Sequence, residues 1–173
     1  MRIMTAVLPV LLACSGESTE TGATMEDDTS GAGVGAHIPT DGSYSTETEV
    51  SSNDCGGQAE LAPVLTGSVS NATAESYDFL LELVDENLQF SCTLSHGAFD
   101  CTASSSTDYA DWGWAAVVNF SHSMTGSWLS ATEFEGQLST ATECEGSECD
   151  GLAEIAGGNF PCTVEHALSG SQP

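Results

Sequence analysis

Cysteine offers more chemistry than any other residue type in this 173-residue chain, and its spacing is uneven. Cys55, Cys92, Cys101, Cys144, Cys149 and Cys162 share one region, while Cys14 stands alone near the start. Thiolates bind zinc through C-x₂₋₄-C pairs matched by a second ligand pair. Cys144 and Cys149 form a C-x₄-C segment with only Cys162 nearby, so no metal site is expected, and disulfides fit better. Phe90, Cys92 and Leu94 alternate with Ser91, Thr93 and Ser95, which is strand periodicity; Phe99 and Cys101 resume it after His96-Gly97. A two-residue loop with glycine second suits a type I′ turn, and histidine tolerates φ > 0 there. That turn opposes Ser95 to Ala98, Leu94 to Phe99 and Cys92 to Cys101, the last a non-hydrogen-bonded pair with Cα atoms about 4.5 Å apart. A disulfide bridges such a span, so a Cys92–Cys101 bond is predicted. A local Cys144–Cys149 bond is the next choice, which leaves Cys55 and Cys162 to join the two ends of the domain.

Histidines are the other candidate reactive groups. His96 belongs to the turn just described, and His37 lies in an acidic, polar stretch with no ligand partner nearby. His122 and His166 could each act as a base, but catalysis needs a nucleophile, a base and an orienting group in mutual reach, and no such set is fixed here. Carboxylate pairs carry no weight in so acidic a chain. No catalytic residue and no cofactor are therefore expected. The composition excludes more: one Lys or Arg stands against 26 Asp and Glu, a formal charge of −25. Phosphate and nucleic-acid binding draw on Lys and Arg to neutralise phosphates, so nucleic acid is not an expected partner. Clustered carboxylates are hard oxygen ligands, yet no D-x-[DN]-x-[DN]-G loop is present. Diffuse divalent-cation binding is expected rather than ordered sites.

Cys14 closes the run Leu11-Leu12-Ala13-Cys14, after a stretch from Ile3 to Ala13 that is apolar apart from Thr5 and follows Arg2. Its length fits the apolar segment of a secretory leader, about 7–15 residues, and falls short of the roughly 20 that span a bilayer. The run resembles the lipobox of bacterial lipoproteins. The resemblance implies a signal peptide over residues 1–13 and a lipidated Cys14 as the new N-terminus. It also implies a membrane partner through that anchor and a cell-envelope location, with Ser15 in the following position pointing to the outer membrane. An acylated Cys14 leaves six cysteines, an even set, in a compartment that permits disulfides. Loss of Arg2 with the leader would leave no Lys or Arg at all.

From Ser15 to Asp54, twenty of forty residues are Ser, Thr or Gly, nine are acidic, and Tyr44 is the lone aromatic. Such a stretch buries too little apolar surface to offset its ordering entropy. Residues 14–54 are expected to be the lipidated cysteine and a disordered acidic tether, with a root-mean-square span of about 35 Å. A single domain is expected over 55–170.

Within that domain, Tyr77, Phe79, Leu81 and Leu83 alternate with Asp78, Leu80, Glu82 and Val84. A strand is preferred over the helical stripe that Phe79, Leu80, Leu83 and Val84 also fit. Trp114, Ala116, Val118, Phe120, His122 and Met124 share one face of a further strand, and Trp128, Phe134 and Leu138 one face of the next. A three-residue loop, Met124-Thr125-Gly126, places glycine where a left-handed residue is wanted and pairs His122 with Trp128 and Ala116 with Phe134. Weaker strands are expected near 63–70, 135–143 and 163–168. The fold class is mainly β: an antiparallel meander forming a partial barrel or a sandwich, stapled by disulfides. Gly126-Ser127-Trp128 resembles the G-x-W of lipocalins, a resemblance that implies a carrier of one small apolar ligand. Trp114, Phe120, His122, Trp128 and Phe134, with Trp112, are the candidate pocket. The expected function is a membrane-anchored binding or interaction module, partnered by an envelope protein; a lipocalin-like carrier is the alternative, and an envelope hydrolase comes third.

Overall fold

The computed structural model describes residues 37–56, 64–83 and 87–173. Cys14, the leader and the first part of the expected tether lie outside them. The described chain is a closed barrel of eight antiparallel strands, each paired with its sequence neighbours and the last with the first. The strands are β1 (Gly42–Asn53), β2 (Val64–Ser70), β3 (Ser76–Glu82), β4 (Asn87–Ser95), β5 (Ala98–Asp108), β6 (Ala116–Trp128), β7 (Glu133–Gly146) and β8 (Cys162–Ser171). A short helix, α1 (Cys149–Ala156), connects β7 to β8. No helix among the described residues is long and apolar enough to cross a membrane.

Each strand builds the wall by period-two alternation, apolar side chains inward and polar ones outward. β4 shows it without interruption: Leu88, Phe90, Cys92 and Leu94 are buried, and every intervening residue is exposed. The meander closes because β1 pairs with β2 on one edge and β8 on the other, Thr46 facing Leu65 and Gly170. Closure leaves no unpaired sheet edge. The fold is therefore a full barrel.

The β4–β5 hairpin has the expected register, with Cys92 opposite Cys101 and Leu94 opposite Phe99. His96 (φ 53°) and Gly97 (φ 83°) form the turn, both in the left-handed region that type I′ requires. All three expected disulfides are present: Cys92–Cys101, Cys144–Cys149 and Cys55–Cys162.

The structure corrects two expectations. Gly42–Asn53, expected in the tether, is strand β1: Tyr44 and Thr46 point inward and are almost fully buried. Its outward face of Ser and Glu, with the polar Thr46 turned inward, hides the alternation. The β6–β7 turn is not at Met124-Thr125-Gly126 but at residues 129–132, so Trp128 faces Phe134 and Met124 faces Leu138. Gly126 lies inside β6, opposite Gly136. The Phe99 ring occupies the space both side chains would need: a Cβ on Gly126 would stand 2.6 Å from Phe99 Cζ and 2.1 Å from the Glu135 carbonyl oxygen. This glycine serves close approach rather than a turn.

Candidate functional site

The two ends of the barrel differ. At one end, Tyr44, Tyr77, Phe79, Phe99, Trp128 and Phe134 pack ring to ring, with Trp128 and Phe134 centroids 5.0 Å apart and Tyr44 and Trp128 5.6 Å apart. Tilted and edge-to-face contacts of this kind add to the burial of large rings. The polar tips are satisfied: the Tyr44 hydroxyl donates to the Thr40 carbonyl (2.8 Å), and Trp128 Nε1 donates to the Tyr77 hydroxyl (3.3 Å). Burial raises both tyrosine pKa values, that of Tyr44 to about 12 against the pull of its Thr40 hydrogen bond. This end is a plug.

The opposite end carries the long connections. Here β5 runs through a 3₁₀ turn (Ala110–Trp112) into β6, and β7 runs through α1 into β8. The barrel interior below the plug opens into a cavity of about 330 Å³. Its walls are mainly apolar: Leu88 from β4, Phe120 from β6, Leu138 from β7 and Val164 from β8. Ala156, Gly158, Asn159 and Phe160, between α1 and β8, form the rim. The Cys55–Cys162 disulfide also faces the cavity and ties the end of β1 to the start of β8. Around it, Gly56 bridges Gly158, and the Cys55 carbonyl accepts from the Asn159 amide at 2.8 Å.

Four polar side chains interrupt the apolar wall: His122, Thr140, Thr142 and His166. His122 Nδ1 lies 3.0 Å from Thr140 Oγ1. The His122 ring stacks on Phe120, centroids 6.3 Å apart and planes at 11°. His166 occupies an inward position of β8, between Val164 and Leu168. It is 3 % exposed, and neither ring nitrogen has a hydrogen-bond partner among the described residues. Desolvation lowers its pKa from the usual 6.5, so the ring is neutral at neutral pH. No Asp or Glu lines the cavity among the described residues.

Of the expected pocket residues, Phe120 and His122 line the cavity. Trp128 and Phe134 belong to the plug. Trp114 packs over Gly151 of α1 in a separate small cluster with Ala116 and Leu152, and Trp112 is 70 % exposed in the 3₁₀ turn. The alternation of β6 runs from the cavity to the plug, so one face serves both. Trp128 also ends the sixth strand, whereas the G-x-W of lipocalins belongs to the first. In the sequence His166 stands out only as an unplaced base; its position in the alternation Cys162, Val164, His166, Leu168 is the signal that places it inside. His96 stays in its turn, with Nδ1 3.1 Å from Ser95 Oγ. Among the described residues, one group places three potential ligand atoms within 4.8 Å, Asp54 with Cys55 and Cys162, and its two sulfurs are consumed in a disulfide.

A larger depression of about 900 Å³ crosses the outer wall over β1, β6, β7 and β8. Glu47, Glu49 and Glu135 border it, and among the described residues none with a buried, unpartnered polar atom lines it. The interior cavity is the better candidate for a binding site. No protein family model, no curated protein and no solved structure matches this chain.

Proposed function

We propose that this protein is a binding or carrier module that holds one small, mainly apolar molecule inside the barrel, and that lipidated Cys14 anchors it to a membrane of the cell envelope. The observation that supports binding is the cavity itself: a concave, apolar space with a few convergent polar groups, at the low end of the 300–1,000 Å³ typical of ligand pockets. The second support is His166, a residue of the cavity wall whose two ring nitrogens are buried with no hydrogen-bond partner among the described residues. Leaving such a group unsatisfied is costly, and a ligand that pairs with it would recover that cost. The anchor rests on the lipobox resemblance alone. The N-terminal side of β1 sits at the plugged end, where the Thr40 amide donates to the Ala131 carbonyl, and the mouth is at the other end.

A fluorescent apolar probe titrated into the purified barrel tests the carrier reading. Saturable uptake at one molecule per chain, quenched in a Leu138→Trp variant, is the expected result; no saturable uptake contradicts it. The reading as an interaction module draws on the connections at the open end, where Trp112 of the 3₁₀ turn and Ile155 of α1 are 70 % and 71 % exposed. Pull-down from envelope fractions that depends on both residues, with no ligand uptake, would favour a protein partner instead.

A further inference from the structure

We infer that the cavity is selective for an uncharged, mainly apolar molecule bearing one hydroxyl group, an alcohol or a phenol, whose hydroxyl pairs with His166. This inference rests on the carrier reading and names its ligand class. In a chain of formal charge −25, the described cavity wall contains no Asp, Glu, Lys or Arg. Its titratable groups are His122 and His166.

The ligand's headgroup follows from what the wall offers. A neutral imidazole presents one N–H donor and one acceptor nitrogen. On His166 both atoms are buried and unpartnered. A hydroxyl both donates and accepts, so it pairs with either ring nitrogen. A carboxylate accepts only. It would need a protonated imidazole, which burial opposes, and it would enter against the field of the whole acidic molecule. An ammonium donates only, and among the described lining residues no carboxylate receives it. A pure hydrocarbon fits the apolar walls but leaves His166 unpaired. The aromatic sides of the cavity, Phe120 and Phe160, favour a flat ring.

Four probes on one carbon skeleton separate these cases: 1-naphthol, naphthalene, 1-naphthoate and 1-naphthylmethylammonium. Each is titrated at about pH 7.5 into the disulfide-intact protein by calorimetry and by chemical-shift mapping. The expected order is 1-naphthol tightest, naphthalene about five- to tenfold weaker, the scale of one net hydrogen bond, and the two ions without measurable binding. His166→Phe is expected to bring 1-naphthol down to the affinity of naphthalene. His166→Gln, which keeps a donor and an acceptor, is expected to retain the preference. Near-ultraviolet circular dichroism reports folding of both variants, and the wild-type order alone already decides the point. Equal binding of naphthol and naphthalene, or a preference for naphthoate with proton uptake, overturns this inference and leaves the carrier reading intact. No probe entering the cavity overturns both.

Discussion

His166 is where the energetics of the site concentrate. Its pKa is lowered by burial, so the unfolded chain binds more protons than the native one between the lowered value and about 6.5. The group's effect on stability is therefore pH-dependent with a definite sign. It is neutral above about pH 7.5, and stability is lost as pH falls through 6.5 towards the lowered native value. His166→Phe removes both that loss and a buried unpaired ring. It is expected to stabilise the ligand-free barrel by about 1 kcal/mol near neutral pH, and by more in mild acid. Urea unfolding of both proteins across that range checks it, because the carboxylates are common to both and cancel in the difference. A difference independent of pH contradicts the burial of this ring. Gly126 is the opposite case, a residue defined by what it leaves empty. Gly126→Ala would set a Cβ 2.7 Å from the Gly136 Cα and against the Glu135 carbonyl. Backbone cannot yield as a flexible side chain does, so a loss of at least about 2 kcal/mol is expected by thermal melting. At this scale the sequence is partly legible. Alternation places Phe120 and His122 on the inward face together with Trp128, and does not separate the cavity from the plug. Gly126 is ambiguous, because a glycine beside a threonine looks the same in a turn and under an aromatic ring; only the position of Phe99, one strand away, tells them apart.

Among the elements, the connections at the open end govern the site. Cys55–Cys162 joins β1 to β8 across a separation of 107 residues, and Cys144–Cys149 closes a separation of only 5. The chain-entropy model assigns about 5 kcal/mol to the first and about 2 kcal/mol to the second. The paired variant Cys55→Ala/Cys162→Ala is accordingly expected to lose about twice the stability of Cys144→Ala/Cys149→Ala in denaturant titrations. It should also release a bound probe faster, since it unties the rim beside Asn159. Equal release rates would mean that the rim does not control the mouth. Local elements are readable in the sequence. The His96-Gly97 turn dictates its own register, and Cys92 opposite Cys101 follows. Non-local ones are not: β1 pairs with β8 far along the chain, and no local pattern announces that partner. Tyr44 and Thr46 are the inward pair of an otherwise polar strand, too few to show periodicity. Helix α1 hides inside a segment whose cysteines are its most visible feature. The same gap separates Phe120 and His122 from His166 and Val164, which meet them only when the barrel closes.

At the scale of the whole molecule, charge outweighs every other feature of the composition. A formal charge of −25 with almost no compensating base makes self-repulsion a standing cost on the compact state. Salt shortens the screening length from about 10 Å at 0.1 M to about 3 Å at 1 M, so the melting temperature is expected to rise over that range; a flat curve would contradict this. If the leader is removed after Ala13, the mature chain contains no Lys or Arg and should resist trypsin even when unfolded and reduced. Internal tryptic fragments would contradict that start. The mass of the protein purified from membranes would report leader removal, acylation of Cys14 and three disulfides together. The carrier account depends above all on the cavity being accessible, and methyl chemical shifts during titration with 1-naphthol test this most directly. The account predicts saturable changes at Leu88 and Leu138 inside the barrel, at one ligand per chain, with the exposed Leu129 at the plugged end unmoved. Changes confined to Leu129 and the outer wall, or no saturation at the interior methyls, would contradict it.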